Sequence, residues 1–268
     1  MEVIVERRQF LSASLSASAL ALTNEGFAET APSKPREYYQ IRGYILRRGP
    51  QMSLTESYFA DALIPALTRM GMGPVGAFTL DIGPDTPTYY LVIPTSRLEA
   101  LVNLDLQLTR EPEFMKSAAP FWNATSKAPA FQRVEVSLSR AFPGWPKLTP
   151  PASSAAKAPR IFQLRTYESP SYADHIRKVE MFHRGAFQVF EDIGFHPVFF
   201  GDVLCGSRAP CLTYMLAFSG MADLESGWNR FFNDPGWKKL SAEPRYAFDQ
   251  IVTNITNLVV KPLPCSQI

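Results

Sequence analysis

Tyr39-Gln40-Ile41-Arg42-Gly43-Tyr44 returns 123 residues later as Phe162-Gln163-Leu164-Arg165-Thr166-Tyr167. Other residues recur at the same offset: Phe59 and Phe182, Gly71 and Gly194, Pro74-Val75 and Pro197-Val198, Pro87 and Pro210, and Glu111-Pro112-Glu113-Phe114 and Asp234-Pro235-Gly236-Trp237. A shift of one residue also brings Tyr90 onto Tyr214. Because so many matches share one register, the sequence predicts a duplicated unit.

The repeat divides the chain into segments. We predict a first repeat over residues 37–140, a connector over 141–158, a second repeat over 159–262 and a loose tail over 263–268. The connector is rich in proline, alanine and serine, a composition that favours a linker between packed units.

Each repeat is predicted to run strand, helix, strand, strand, helix, strand. Each long helix ends at a glycine, Gly71 or Gly194, as a helix C-terminal cap requires, and Pro112 and Pro235 suit the first position of a short extra helix. The main predicted elements are Tyr38–Leu46, Leu54–Met70, Val75–Ile82, Thr88–Ile93, Ser96–Leu108 and Phe131–Ser139, and then Arg160–Tyr167, Tyr172–Ile193, Val198–Cys205, Leu212–Phe218, Ala222–Phe232 and Gln250–Val260.

This order of elements is typical of the ferredoxin-like βαββαβ unit. Its antiparallel sheet carries helices on one face only, so the other face must be covered. Two tandem copies can cover each other. We therefore predict an α+β fold in which the two sheets pack together as an α/β barrel within one chain.

The N-terminus predicts an export signal over residues 1–28. Arg7-Arg8-Gln9-Phe10-Leu11 is a twin-arginine motif, the run 11–22 is mildly apolar, and Gly26-Phe27-Ala28 offers a small-residue cleavage site. A linker follows at 29–36. We expect a protein that is periplasmic or otherwise exported by the twin-arginine route.

Charge and hydropathy exclude two other classes. The chain has a net charge of +2 at pH 7 with scattered basic residues, whereas nucleic-acid-binding proteins concentrate theirs on one face. No later stretch approaches the ~18 consecutive apolar residues of a membrane span. We expect no nucleic-acid partner and no transmembrane segment.

The three cysteines lack the Cys-x-x-Cys spacing of a structural zinc site. Cys205 and Cys211 flank a short loop in a predicted hairpin, and in an oxidising compartment they could form a disulfide. Free thiols are the alternative. Cys265 lies in the tail.

The second repeat resembles the NIPSNAP family. The resemblance rests on Phe162-Gln163-Leu164-Arg165-Thr166-Tyr167-Glu168 and on further segments: Gly194-Phe195-His196-Pro197-Val198, Leu212-Thr213-Tyr214-Met215-Leu216-Ala217-Phe218, Trp228-Asn229-Arg230-Phe231, Asp234-Pro235-Gly236-Trp237-Lys238 and Asn254-Ile255-Thr256-Asn257. It implies the dimeric α/β-barrel fold and brings no agreed reaction. Proteins that share this fold include cofactor-free monooxygenases, small isomerases and haem enzymes of the chlorite-dismutase type.

Strand alternation places Gln163, Arg165 and Tyr167 on one face of their strand. A buried arginine must be paired or reach water. Two hypotheses follow: Arg165 forms a structural ion pair with an acid from the facing helix, which we favour, or the face lines a ligand pocket. Gln40, Arg42 and Tyr44 repeat the pattern in the first copy, which supports a role in the fold.

All three histidines lie in the second repeat. On the long helix, His175 falls within the apolar stripe and could point onto the strand face of Arg165 and Tyr167, where an imidazole could act as acid and base or hold an acidic or phenolic ligand. The other hypothesis, which we favour, is a partly exposed first-turn histidine. His183 and His196 are expected to be packing or surface residues.

The sequence predicts no metal site and no cofactor. His175 and His183 are roughly 12 Å apart by helix rise, too far for one ion, and no paired carboxylates support them. A haem with one axial histidine stays open as an alternative. No nucleophile elbow, phosphate loop or dinucleotide motif occurs. The aromatic cluster Trp228, Phe231, Phe232 and Trp237 is expected to be core in preference to a ligand platform.

Our first functional hypothesis is an exported protein of the NIPSNAP type that binds a small ligand or a protein partner. The best candidate ligand-binding residues are Gln163, Arg165, Tyr167, His175 and Tyr214. The alternative is a cofactor-independent monooxygenase or isomerase acting on a small aromatic or apolar substrate through His175, Arg165 and Tyr167. Because one chain supplies both sheets, we expect a monomer as the minimal unit.

Overall fold

Eight antiparallel strands close into one barrel in the computed structural model, which describes residues 35–268. The strands are β1 (Tyr38–Ile45), β2 (Gly76–Ile82), β3 (Thr88–Thr95), β4 (Arg133–Ala141), β5 (Ile161–Glu168), β6 (His196–Cys205), β7 (Cys211–Phe218) and β8 (Asn254–Pro262). Around the barrel their order is β1-β3-β2-β8-β5-β7-β6-β4. The predicted α+β barrel is confirmed.

Each half of the chain contributes one continuous part of the barrel. The first half supplies β4-β1-β3-β2 and the second supplies β8-β5-β7-β6, the same order of strands within each half. The halves join where β2 pairs with β8 and where β4 pairs with β6. One polypeptide therefore closes the barrel by itself.

The inner faces of both halves form a shared core. Tyr39 from β1 packs on Phe199 from β6, and Phe78 from β2 packs on Phe162 from β5, each with ring centroids 5.0 Å apart. All four side chains are fully buried. Burying aromatic area of this size is a main source of the barrel's stability, since hydrophobic burial contributes roughly 25 cal/mol per Å2.

Helices cover the outer faces and form a separate core with each half. The first half contains α1 (Pro50–Ser57), α2 (Ile64–Arg69), α3 (Leu98–Val102), α4 (Leu104–Leu108) and α5 (Pro112–Trp122), with α6 (Ala152–Ala155) in the connector. The second half contains α7 (Tyr172–Met181), α8 (Phe187–Asp192), α9 (Met221–Asn233), α10 (Pro235–Ser241) and α11 (Phe248–Ile251), and a 3-10 turn at Pro244–Tyr246. π-helical turns at Tyr58–Leu63 and Phe182–Ala186 join α1 to α2 and α7 to α8.

Several predicted boundaries are wrong for local reasons. The first long helix begins at Pro50 and not at Leu54, because proline is favoured at the first helical position. The last strand begins at Asn254 and not at Gln250, because 248–251 form the short helix α11. The predicted helix 96–108 is divided into α3 and α4 at Asn103.

The tail 263–268 is packed, contrary to the expectation of a loose segment. Ile268 is fully buried in the barrel core, and the side chain of Gln267 accepts a hydrogen bond from the Val75 backbone at 2.7 Å. The backbone N–H of Gln267 in turn donates to Val75 O. The tail thus fills the space at one end of the barrel.

The one-residue slip that paired Tyr90 with Tyr214 is also wrong. Tyr214 lies opposite Arg165 in the ladder, whereas Tyr90 lies opposite Gly43. Neighbouring positions of a strand face opposite sides of a sheet. Tyr90 therefore packs on the core inside the barrel, and Tyr214 belongs to the helix-covered core outside it.

The disulfide between Cys205 and Cys211 is not formed, and all three cysteines within residues 35–268 are free. The register of β6 and β7 explains this. Asp202 pairs with Leu212, so the next residue of β7, Cys211, lies opposite the neighbourhood of Val203 and not opposite Cys205. The proposed signal over residues 1–28 and most of the linker lie outside the described residues. Across 35–268, no helix is both long and apolar enough to cross a bilayer.

Candidate functional site

A cavity of about 370 Å3 lies in the second half, between the outer face of the barrel and its helices. Its volume falls within the range of small-molecule sites. Strand alternation turns Arg165 and Tyr167 of β5 toward it, and Tyr214 of β7 joins them. The complete lining is Arg165, Tyr167, Lys178, Met181, Phe182, Ala186, Phe190, Tyr214, Trp228, Phe231, Phe232, Trp237, Ser241 and Ile255.

Two cationic side chains line this apolar space. Arg165 is 8% exposed and Lys178 is 2% exposed. The Arg165 guanidinium carbon lies 4.2 Å from the centroid of the Trp228 ring and 5.3 Å from that of Tyr167. Lys178 Nζ lies 5.1 Å from the Tyr167 centroid. Both cations thus lie against the same tyrosine ring.

Lys178 is the residue that the sequence analysis missed. Helix α7 places it in the cavity lining, where its Nζ also contacts Met181 Sδ at 3.5 Å and lies near the rings of Phe182 and Trp237. Burial, and to a lesser extent the nearby charge of Arg165, lower the pKa of Lys178 to about 7. A large fraction of this amine is therefore neutral near pH 7.

The remaining polar groups fix the walls of the cavity. The hydroxyls of Tyr167 and Tyr214 are 2.9 Å apart and hydrogen-bonded. Burial raises the pKa of Tyr214 well above its ordinary value, so this residue stays a phenol. Behind the wall, Gln163 Oε1 accepts a hydrogen bond of 2.7 Å from Trp228 Nε1.

The first half has a corresponding cavity of about 360 Å3 beside Arg42, Tyr44 and Tyr58. Here Arg42 donates to Asp105 Oδ1 at 2.9 Å and to Gln40 Oε1 at 2.6 Å. Asp105 and Trp228 are 123 residues apart, as are Arg42 and Arg165. The same place over the arginine therefore holds a carboxylate in one half and an indole in the other.

This comparison corrects the interpretation of Arg165. The favoured structural ion pair exists at Arg42, which pairs with an acid from a facing helix. Within residues 35–268, Arg165 makes no salt bridge, and its Nε has no hydrogen-bond partner. Arg165 lines the cavity instead.

His175 does not line the cavity. Its Nε2 is 2.7 Å from Asp202 Oδ1 of β6, and the side chain is buried beside that strand, away from Arg165 and Tyr167. The cavity lining therefore does not include His175, whose imidazole contacts Asp202 of β6. Of the five predicted ligand-binding residues, the cavity gathers Arg165, Tyr167 and Tyr214, while Gln163 supports its wall.

His183 and His196 are exposed, as expected. His183 Nδ1 is 2.8 Å from Val179 O, and its Nε2 accepts a hydrogen bond from Gly144 N–H at 3.1 Å. It therefore holds the connector against α7. In the aromatic cluster, Trp228 and Phe231 are buried core residues, as expected, and all four of its members line the cavity.

No group of three or more His, Cys, Asp or Glu side chains within residues 35–268 is arranged to hold a metal ion. The cavity's own donors, an amine, a guanidinium and two phenols, are suited to anions. Arg165 is permanently charged, and a charge-assisted hydrogen bond to a carboxylate is among the strongest polar contacts in proteins.

Comparison with known proteins gives a family match over the second half of the chain. Residues 162–267 match the NIPSNAP family model. This NIPSNAP segment spans β5 to the tail and contains the entire cavity lining. The resemblance noted from the sequence is therefore supported over that half. No curated protein matches the chain.

Solved structures give the same fold over nearly the whole chain. A provisionally assigned monooxygenase from Fusobacterium nucleatum aligns with a TM-score of 0.54 at 9% identity, covering 86% of this chain and 94% of its own. A second, from Lactobacillus acidophilus, gives 0.53 at 9% identity, with 85% and 94% covered. An uncharacterised NIPSNAP domain protein from Burkholderia xenovorans aligns at 12% identity over 39% of this chain and 95% of its own, with a TM-score of 0.34. At these identities the first two show a shared fold.

Proposed function

We propose that the cavity of the NIPSNAP segment binds a small aromatic or apolar ligand that carries an acidic group. The observation that supports this is the placement of Arg165 inside an aromatic-walled space with no salt bridge among the described residues. Burying a charge is unfavourable unless it is compensated. An anionic ligand would supply that compensation, while the walls would take its apolar part.

A small ligand fits this site better than a protein partner. Both cations are more than nine-tenths buried, at the inner wall of a recess and not on an open surface. A flat protein surface could not bring a carboxylate to them without inserting a side chain. The first-half cavity lacks the same preference because Asp105 already neutralises Arg42.

The test is calorimetric titration with 2-naphthoate and with its neutral analogue 2-naphthamide. We expect the anion to bind more tightly by on the order of tenfold, the usual worth of a hydrogen bond to a charged group. Arg165→Met should remove this difference. Arg42→Met is the matched control, and it should leave the difference unchanged. Equal affinities for the two probes in the wild-type protein would refute the proposal.

A second proposal is that the same cavity turns over its ligand as a cofactor-independent monooxygenase or isomerase. The observation that favours it is the Lys178 amine, whose pKa of about 7 suits a group that accepts a proton near neutral pH. In this proposal Lys178, and not His175, is the group that accepts and donates the proton. Ligand-dependent oxygen consumption or product formation that Lys178→Met abolishes would support turnover.

We also propose export by the twin-arginine route and a cofactor-free protein whose minimal unit is one chain. The proposal of export rests on Arg7 and Arg8. A variant in which both are replaced by lysine should retain an attached reporter in the cytoplasm. Sedimentation of the purified protein tests the monomer. The visible absorption spectrum of protein from its native host tests whether the protein is free of a cofactor, because a Soret band would establish the haem alternative.

The proposed origin of the barrel is a tandem duplication. Residues related by the 123-residue offset occupy corresponding places: Arg42 and Arg165 lie at matching positions of β1 and β5, and Gly71 and Gly194 both end a long helix with φ near +70° (72° and 74°). Superposition of 37–140 on 159–262 should align these pairs in one register.

A further inference from the structure

The two cations of the cavity differ in chemical character. Arg165 keeps its charge at any ordinary pH because a guanidinium does not deprotonate in proteins. Lys178 is enclosed by Met181 Sδ and by the rings of Tyr167, Phe182 and Trp237. An amine that is desolvated and close to another cation loses its proton easily and becomes a nucleophile.

Their placement separates two functions along one ligand. Arg165 and Lys178 each lie about 5 Å from the centroid of the Tyr167 ring, at 5.3 Å and 5.1 Å. Arg165 also stacks on Trp228, whereas Lys178 is closer to Trp237 and Phe182. A flat ligand between these rings can therefore present an acidic end to Arg165 and a second functional group to Lys178.

We propose that Lys178 forms a reversible imine with an aromatic aldehyde or ketone whose carboxylate is held by Arg165. This rests on the proposed function, since the carboxylate contact is the one proposed above, and it names the substrate class of the same site. The neutral amine suits a carbonyl carbon, because a group that has lost its charge is a weak partner for an anion and a good nucleophile.

The step balances without any further reactant. The Nζ lone pair attacks the carbonyl carbon, a C–N bond forms, and the carbonyl π pair moves to the oxygen, which takes up one of the two protons of the nitrogen. The resulting carbinolamine loses this oxygen as water while nitrogen gives up its remaining proton, and a C=N bond remains. The Tyr214 hydroxyl, hydrogen-bonded to Tyr167, lines the cavity and can donate a hydrogen bond to the departing oxygen.

The experiment uses the full chain with 4-carboxybenzaldehyde and sodium cyanoborohydride, which reduces an imine to a stable secondary amine. We expect a single adduct, with the mass of the probe less one oxygen atom, on the peptide that contains Lys178. Lys178→Arg keeps a long basic side chain but cannot form an imine, so its adduct should be absent. Labelling of exposed lysines such as Lys239 at the same rate as Lys178 would overturn the proposal.

Two further measurements separate this proposal from the proposed function. The analogue 4-carbamoylbenzoate has the same carboxylate and a carbonyl that an amine does not attack. If it binds to the wild-type protein and the aldehyde leaves no adduct at Lys178, the imine is refuted and anion binding stands. If Lys178 is labelled equally fast by 4-carboxybenzaldehyde and benzaldehyde, the anion-binding role of Arg165 fails while the imine stands.

Arg165→Met completes the design. Removing the charge of Arg165 should slow labelling of Lys178 by both probes, because that charge helps to lower the Lys178 pKa. The loss should be larger for 4-carboxybenzaldehyde than for benzaldehyde by on the order of tenfold, because only 4-carboxybenzaldehyde has a carboxylate that Arg165 can bind. Far-UV circular dichroism of Lys178→Arg and Arg165→Met verifies the fold. If Lys178→Arg fails to fold, the location of the adduct in the wild-type chain decides the result alone.

Discussion

Asp105 and Trp228 occupy corresponding positions in the two halves, and each lies over an arginine of the first strand of its half. Asp105 accepts a hydrogen bond from Arg42 at 2.9 Å, whereas Trp228 offers Arg165 the face of its ring at 4.2 Å. An indole face attracts a cation without neutralising it. The exchange of one residue thus leaves the second cavity with an available positive charge.

Asp105→Asn should give the first half the property of the second. Removing the carboxylate frees Arg42 in a cavity of about 360 Å3, so we expect a second, weaker 2-naphthoate site by calorimetry. Asp105 is 61% exposed but Arg42 is buried, so we expect the variant to lose roughly 1–3 kcal/mol of stability and to remain folded. Glu99→Gln on the neighbouring helix is the control. A stoichiometry of one in both variants would contradict this account.

Gln163→Leu should destabilise the protein through Trp228. The substitution leaves the buried Trp228 N–H without its acceptor, at a cost of roughly 1–3 kcal/mol. Chemical denaturation measures the change. In the background of Trp228→Phe there is no N–H to satisfy, so the cost of Gln163→Leu should fall. Equal costs in both backgrounds would show that the hydrogen bond contributes nothing.

Lys178→Met should stabilise the protein near pH 7, and the gain should shrink as the pH rises. The pKa of Lys178 is lowered to about 7 in the folded state, against ~10.4 when unfolded. Below pH ~7 both states bind the proton and the folded state bears the full cost of the buried charge. Between pH ~7 and ~10.4 only the unfolded state binds it, so wild-type stability rises with pH in this window.

We therefore expect an advantage on the order of 3 kcal/mol for the methionine variant at pH ~7 that largely disappears by pH ~10. Denaturant titrations of both proteins at several pH values measure it. Lys239→Met, at an exposed position, is the matched control and should show no such trend. An advantage that stays constant across this range would mean that Lys178 is not titrating with a lowered pKa.

His175→Ala should reduce stability and leave ligand binding alone. The 2.7 Å contact with Asp202 is lost, which we expect to cost roughly 1–3 kcal/mol. Because His175 lies outside the cavity lining, the dissociation constant for 2-naphthoate should change by less than about twofold. If the variant folds but loses much of its affinity for 2-naphthoate, His175 takes part in binding and this account is wrong.

Repetition in the sequence was enough to predict the barrel, since βαββαβ twice leaves two bare sheet faces that can only cover each other. The alternation of β5 likewise placed Arg165 and Tyr167 on the helix side. The partner of Arg165 could not be predicted, because the choice between an acid and an indole depends on how α4 and α9 approach the sheet.

Lys178 did leave a signal in the sequence. It stands four and eight residues before Phe182 and Ala186, and so lies on the apolar stripe of the long helix, where a charged residue is out of place. The position 123 residues earlier is Thr55, which is buried and uncharged. A cation that interrupts an apolar stripe in one repeat only was a better indicator of the site than His175.

Closure of the barrel within one polypeptide has a consequence for how its two sites can differ. A barrel built from two identical chains must carry the same residues in both recesses, so any substitution alters them together. Here the pairing of β2 with β8 and of β4 with β6 joins two halves that have different sequences, so that a substitution in one half does not alter the other. The cavity beside Arg42 can thus keep its internal ion pair while the cavity beside Arg165 changes its chemistry. Because both belong to one chain, dilution of the protein cannot separate them.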